Sequence, residues 1–119
     1  MVGAFGFAFD TTRRTTMGQL YMQRFKYRGA IDKAAYDAAW GVAFQAKATT
    51  GNWGNVANGI THHKAWGTAW GGYSLIEAET PEALQEYQVF HAMNYAHMVT
   101  VTFEPLTDLD AIAEDIAKG

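Results

Sequence analysis

The sequence predicts an α+β domain, in which a four-stranded antiparallel sheet carries its helices on one face in the order βαββαβ. Three observations lead to this prediction. The segment from Ile60 to Glu79 contains two strand-like runs separated by a glycine pair. Thr80-Pro81-Glu82 follows directly and is typical of a helix start. The run from Tyr95 to Glu104 alternates and is rich in β-branched residues, which indicates a last strand.

The bulk composition fits a single domain, residues 1–119. A chain of 119 residues that is 49% hydrophobic and 14% aromatic can bury a core, which argues against disorder. The net charge of −3 shows no excess of basic residues of the kind that binds nucleic acid, so no nucleic-acid partner is expected. Without cysteine there are no disulfides, thiolate catalysts or cysteine zinc sites, which fits a cytoplasmic protein. No apolar run is long enough for a membrane span, and no signal peptide is expected.

The first half of the sequence is predicted to contain one helix more than the βαββαβ order requires. Val2 to Phe9 is apolar on both alternating faces, which favours a central first strand. A helix is then predicted from the spacing of Met17, Leu20, Tyr21 and Phe25. A second helix begins at the Asp32 cap. Its stripe of Tyr36, Trp40 and Phe44, together with many alanines, predicts burial on most sides, for which a subunit interface is one explanation.

The second half divides into shorter elements. Strands are predicted from Ile60 to about Thr68 and from Tyr73 to Glu79, with a turn or bulge at Gly71-Gly72 between them. The last strand ends at Pro105, and Asp108 caps a short terminal helix with an apolar stripe of Leu109, Ile112 and Ile116.

Helices on one face of the sheet would leave its other face uncovered. Because both faces of the predicted first strand, Val2 to Phe9, are apolar, a second copy of the chain is expected to cover that face. The sequence therefore predicts a homodimer or a higher homo-oligomer.

From about Ile60 to Asp110 the chain resembles the ferredoxin-like, dimeric α+β-barrel superfamily. It is most similar to a family of small uncharacterised bacterial domains within it. The resemblance lies in the aromatic strand HHKAWGTAWGG, the strand and capped helix GYSLIEAETPEALQEY, and the last strand MVTVTFEPL. It implies a dimeric α+β barrel. It also implies that the activities to consider include those of heme-degrading, quinone-forming and cofactor-free monooxygenases, although many members have no known reaction.

Histidines are the candidate catalytic residues. An imidazole titrates near neutral pH, so His62, His63 or His97 could act as a general base beside aromatic side chains. Alternation in a strand directs His62 and His63 to opposite faces, with Lys64 and Trp66 on the face of His62. A metal site would need His91 or His97 as well, and no metal-ligand spacing is present, so no metal or cofactor is expected.

The glycines around Trp66 and Trp70 favour a cleft, which we expect to bind a small apolar or aromatic molecule. Its substrate-binding residues are predicted to be Trp66, Trp70, Tyr73 and Asn94. The expected activity is that of a cofactor-independent oxygenase, isomerase or cyclase. Two alternatives stay open: a non-catalytic binding or assembly protein, and a histidine-ligated metal or heme protein.

Charge is unevenly distributed along the chain. The first third holds most of the positive charge, and the last third is acidic. A site for an anionic ligand is one interpretation of the basic segment. The other is that its solvated cations attract the acidic C-terminal helix of the same chain or of a partner chain.

Overall fold

The computed structural model describes residues 18–119, which form an α+β structure with three helices and one four-stranded sheet. The elements are β1 (Gln19–Tyr27), α1 (Lys33–Thr50), β2 (Ile60–Thr68), β3 (Gly71–Ala78), α2 (Pro81–Asn94), β4 (Val99–Leu106) and α3 (Leu109–Ala117). The sheet order is β2-β3-β1-β4, and each neighbouring pair is antiparallel. Within residues 18–119, none of the helices combines the length and apolar character needed to cross a membrane.

Side-chain caps begin all three helices where the sequence predicted them. Oδ2 of Asp32 accepts a hydrogen bond from the backbone N–H of Ala35 at 3.0 Å. The Thr80 hydroxyl and the Asp108 carboxylate accept equivalent bonds at 3.1 and 2.9 Å. Each cap satisfies a backbone donor that the first helical turn leaves without a partner, so the three predicted helix starts are confirmed.

The prediction of a helix through Leu20, Tyr21 and Phe25 is wrong, because residues 19–27 form β1. Tyr21, Phe25 and Tyr27 lie on one face of this strand with a period of two. The buried Gln23 interrupts that apolar face and concealed the alternation. The described part of the first half therefore has one helix, α1, and not two. The predicted strand Val2–Phe9 lies outside the described residues.

Three predicted boundaries also differ. Ala69 and Trp70 form the turn between β2 and β3, whereas Gly71 and Gly72 belong to β3. The last strand begins at Val99 rather than Tyr95 and continues through Pro105. Because β4 is an edge strand, the N–H that proline lacks is not needed by a neighbouring strand.

Helices α1 and α2 pack on the same face of the sheet, which we call the helix-side face. It carries Tyr21, Gln23, Phe25 and Tyr27 of β1 and their register partners. One core cluster joins α1 to the start of β4 through Ala39, Ala43, Tyr95, Met98 and Val99. A second joins α2 to β3 and the loop before β2 through Tyr87, Ile76 and Val56.

Helix α1 is buried through its alanines rather than its aromatic stripe. Ala39, Ala43 and Ala46 are its buried residues, whereas Phe44 is 59% exposed. A single copy of the described residues therefore does not by itself bury α1 on most sides. Because alanine side chains are short, Ala39 and Ala43 leave space between α1 and the sheet.

The opposite side of the sheet, which we call the outer face, carries charged and aromatic side chains. The alternation of β1 places Arg24 and Lys26 on it, and both are exposed. Arg24 lies 5.8 Å from the ring centre of Tyr73, and Nζ of Lys64 lies 6.0 Å from that of Trp66. Neither α1 nor α2 covers this end of the sheet.

Candidate ligand cavity

A cavity of about 290 Å³ lies between the helix-side face and helices α1 and α2. Phe44, on α1, belongs to its wall and is 59% exposed, so the cavity opens to solvent beside this residue. Its wall is mostly apolar and contains Gln23, Phe25, Ala39, Trp40, Ala43, Phe44, Trp53, Ala65, Trp66, Gly67, Ser74, His91, Tyr95, Met98, Val99 and Val101.

Small side chains create this space. Ala39 and Ala43 of α1 face the sheet where β2 and β3 present Ala65, Gly67 and Ser74. Large aromatic side chains hold the surrounding walls apart: Trp40 contacts Trp53 edge-on, with ring centres 6.2 Å apart. Protein interiors normally leave few voids larger than a water molecule, so an apolar space of this size is a candidate ligand site.

A buried network of three side chains closes one side of the cavity. The Tyr87 hydroxyl donates to Oε1 of Gln23 at 2.8 Å. Nε2 of Gln23 lies 2.9 Å from Nε2 of His91, and Nδ1 of His91 lies 2.8 Å from the carbonyl of Tyr87. A carbonyl can only accept, so we assign the ring proton to Nδ1; Nε2 then accepts from the Gln23 amide.

Burial keeps His91 neutral. Removal from water lowers its pKa to about 4. The hydrogen bond to the Tyr87 carbonyl has a smaller effect and raises the pKa. Both ring nitrogens are engaged, so His91 has no free lone pair with which to accept a proton from a ligand. Burial likewise raises the pKa of Tyr87, whose hydroxyl stays protonated and donates to Gln23.

Tyr95 joins this network to the loop that carries Trp53. Its ring packs edge-on against His91 with centres 4.9 Å apart, and its hydroxyl donates to the Trp53 carbonyl at 2.8 Å. Burial raises the pKa of the Tyr95 hydroxyl, which keeps it protonated as a donor. The Tyr95–Trp53 bond holds the aromatic wall of the loop in place.

His62 lies on the cavity side of the sheet, behind Trp53. The two rings meet edge-on with centres 6.0 Å apart. Burial lowers the pKa of His62, and the charges of Lys47 and His63 lower it further, so the ring is neutral at pH 7. Its Nδ1 atom is buried and has no hydrogen-bond partner among the described residues.

A β-bulge at His63 changes which side chains share a face of β2. His62 pairs with Ile76, and Lys64 pairs with the adjacent Leu75, so His63 is the extra residue. Lys64 and Trp66 are therefore on the outer face and not on the face of His62, as the sequence predicted. His63 itself forms a 3.1 Å bond with Glu77, away from His62.

The other predicted site residues are dispersed. His97 is exposed in the turn before β4 and does not lie on that strand. Trp70 is exposed in the β2–β3 turn, and Tyr73 lies on the outer face. The side-chain amide of Asn94 donates to the carbonyl of Phe90 within α2. Of the predicted site residues, Trp66 is the one that borders the cavity, through its position in β2, because its pairing with Tyr73 places its side chain on the outer face.

Sequence reasoning missed the groups that build the cavity, including Gln23, Trp40, Trp53, Tyr87 and Tyr95, and considered His91 only as a metal ligand. One signal was available. Gln23 is a polar residue between apolar neighbours of the same strand face, and such a residue requires a buried hydrogen-bond partner. The partners themselves come from α2, more than 60 positions further along the chain.

Residues 18–119 contain no group of three or more histidine, cysteine, aspartate or glutamate side chains placed to hold a metal ion. Neither a protein-family model nor a curated protein matches the chain.

Proposed function

We propose that this protein binds a small apolar or aromatic molecule in the cavity between its sheet and helices. The observation that supports this most directly is the cavity itself, about 290 Å³ with a largely apolar wall. An apolar cavity of roughly 150 Å³ is enough to hold benzene, so this one has room for a molecule of one or two rings.

The wall also favours aromatic ligands over flexible aliphatic ones. Phe25, Trp40 and Trp53 contribute ring faces and edges from three different elements of the fold. Aromatic pairs gain about 0.5–1.5 kcal/mol beyond the burial of their area. The hydroxyl of Ser74 on β3 supplies a polar group within this wall, which could orient a ligand that carries one polar substituent.

For a reaction, we propose His62 as the general base of a cofactor-independent oxygenase, isomerase or cyclase. Its neutral ring and unpartnered Nδ1 support this choice over the exposed His97 and over His63, which is bonded to Glu77. Movement of the Trp53 ring would be needed for a ligand to reach it. A purely binding or assembly role is the alternative, because His91 in the wall already has both nitrogens engaged.

We further propose that the chain is a ferredoxin-like half of a dimeric α+β barrel. The element order β1-α1-β2-β3-α2-β4 and the sheet order β2-β3-β1-β4 support this assignment. The exposed aromatic and charged outer face supports pairing of two copies. Light scattering at micromolar concentration tests the pairing, and a clean monomer would contradict it.

A matched pair of substitutions tests the cavity. Ala43 and Ala38 are both in α1, but Ala43 lines the cavity and Ala38 is exposed. Ala43→Leu fills the space, and Ala38→Leu does not. We expect naphthalene and indole to quench the tryptophan fluorescence of the wild type and of Ala38→Leu at similar concentrations, and to bind Ala43→Leu at least about tenfold more weakly. Equal binding by both variants would show that the ligand does not enter this cavity.

The catalytic proposal has a separate test. Alanine substitution of His62, His63 and His97, one at a time, is followed by measurement of probe affinity and thermal stability. A role for His62 requires that His62→Ala alone alters the pH dependence of turnover once a substrate is found among compounds that bind. Absorbance scanning and metal analysis of purified protein test the heme or metal alternative, because either group would be detected directly.

A further inference from the structure

We propose that the cavity takes an uncharged aromatic ligand that carries a carbonyl group, and that Ser74 and Gln23 bind the carbonyl oxygen through two hydrogen bonds. This inference rests on the proposed ligand cavity and names the chemical class that the cavity selects. Both residues belong to the cavity wall, and they are only 1% and 2% exposed.

The Ser74 hydroxyl is a buried polar group that the described part of the chain does not use. Ser74 pairs with Gln23 of β1 and with Ala65 of β2, so its side chain lies on the helix-side face, in the wall of the cavity. Its Oγ atom has no hydrogen-bond partner among residues 18–119. Buried hydroxyl groups normally have a partner, and here a ligand in the cavity would supply it.

The side-chain amide of Gln23 has one hydrogen to spare. Its Nε2 atom carries two hydrogens, and one is donated to Nε2 of His91 at 2.9 Å. The amide cannot be reversed, because Oε1 would then face Nε2 of His91, which carries no hydrogen while Nδ1 donates to the Tyr87 carbonyl. Within residues 18–119 no acceptor takes the second hydrogen, so it is available to a ligand.

The two donors lie side by side on the sheet. Gln23 and Ser74 are direct partners across β1 and β3, and the Cβ atoms of such partners are about 4.5–5.5 Å apart. On the other side of Ser74, the short side chain of Ala65 leaves the hydroxyl accessible from the cavity. A carbonyl oxygen has two lone pairs and no hydrogen, so it matches a pair of adjacent donors.

The wall also selects against charged ligands. It contains no aspartate, glutamate, lysine or arginine among the residues that the structure describes, and burial keeps His91 uncharged. Nζ of Lys47 lies 5.7 Å from the ring centre of Trp53, but Lys47 is not part of the wall. A carboxylate or an ammonium group inside the cavity would lose its hydration without gaining an ion pair.

Probes that share one carbon skeleton test this inference: indane, 1-indanone, 4-indanol and indane-1-carboxylate. Isothermal titration calorimetry measures their affinities for the wild type, Ser74→Ala and Val101→Ala. Val101 lines the cavity but offers no polar side-chain group, so Val101→Ala is the matched control. We expect Ser74→Ala to bind 1-indanone roughly fivefold to tenfold more weakly than the wild type does, and indane within about twofold. Val101→Ala should change both affinities by a similar factor.

Infrared spectroscopy of 1-indanone labelled at its carbonyl carbon detects the hydrogen bonds directly. Hydrogen bonding lowers the stretching frequency of a carbonyl group. Bound 1-indanone should therefore absorb at a higher frequency in Ser74→Ala than in the wild type and Val101→Ala. Far-ultraviolet circular dichroism checks that both variants fold. An unchanged frequency in Ser74→Ala would overturn the role of Ser74, whatever the substitution does to stability.

The outcomes separate this inference from the proposed function. An equal loss of affinity for indane and 1-indanone in Ser74→Ala would overturn the carbonyl site and leave the cavity as the ligand site. A loss confined to 4-indanol would assign the site to a hydroxyl group instead. Binding of the carboxylate to the wild type as tightly as 1-indanone would overturn the selection for uncharged ligands. Failure of both indane and 1-indanone to bind the wild type would overturn the proposed function itself.

Discussion

Nε2 of Gln23 lies 2.9 Å from Nε2 of His91, a hydrogen bond between residues 68 positions apart. It joins the middle of β1 to the last turn of α2, where both elements border the cavity. With Tyr87 the two residues form a closed circuit in which each polar side-chain group has a partner. The circuit supplies hydrogen bonds where burial would otherwise be costly, so we expect it to govern the stability of the protein and its response to acid.

Acid should destabilise the protein through His91. Its pKa falls from 6.5 in the unfolded chain to about 4 in the native state because the ring is buried. The contribution of neutral His91 is complete above pH 6.5. It is lost as the pH falls toward 4, because the unfolded chain then binds a proton that the native state does not. The expected loss is about 3 kcal/mol of unfolding free energy.

Urea unfolding of the wild type and of His91→Gln, measured at several pH values between 7 and 4, tests whether His91 controls the loss of stability in acid. The variant should be less stable at pH 7, and its stability should fall less on acidification. Carboxylates titrate in both proteins, so the difference between the two curves isolates His91. Parallel curves would show that His91 does not control the acid response.

Loss of the Tyr87 hydroxyl should also be costly. Tyr87→Phe keeps the buried ring but leaves Oε1 of Gln23 without its donor. An unsatisfied buried acceptor costs about 1–3 kcal/mol. Tyr73→Phe on the outer face is the control and should change stability by less than about 0.5 kcal/mol. Chemical denaturation of the two variants should separate them, and similar midpoints would refute the importance of the circuit.

Gly54 should tolerate no side chain. A Cβ atom there would lie within 2.3 Å of Cδ1 of Tyr87, whose ring is completely buried. We expect Gly54→Ala to destabilise the protein by about 1–3 kcal/mol or more, because the ring has no space into which to move. Thermal unfolding measures the effect. A melting temperature equal to that of the wild type would mean that the loop and α2 do not pack as described.

Gly41→Ala is the matched control and should have the opposite sign. Gly41 lies within α1, and among residues 18–119 no heavy atom beyond its chain neighbours and the backbone of its own helix lies within 4 Å of the position that its Cβ would occupy. Alanine in a helix interior is favoured over glycine by about 0.5–1 kcal/mol, so the melting temperature should rise. A fall would indicate that the exposed side of α1 is in contact with another molecule.

The starts of the helices and most of the second half could be predicted from sequence because their determinants are local. Asp32, Thr80 and Asp108 each bond to a backbone N–H three residues away, so the signal lies within one turn. The strand from Ile60 to Thr68 was recognisable from its own composition. The same local reasoning failed for β1. Gln23 lies on its buried face, and the side chains that satisfy its hydrogen bonds are on α2, far away in the sequence.

The sequence by itself determined where the helices begin and that the chain forms an α+β structure with an antiparallel sheet. Tertiary structure alone decided that His91 and Trp53 border a cavity, that a bulge at His63 moves Trp66 to the outer face, and that α3 turns its apolar stripe outward. The physical reason is the distance along the chain between the residues that determine each feature. A cap depends on atoms within one turn, whereas a cavity, a strand register and the orientation of a helix depend on side chains that only the folded chain brings together.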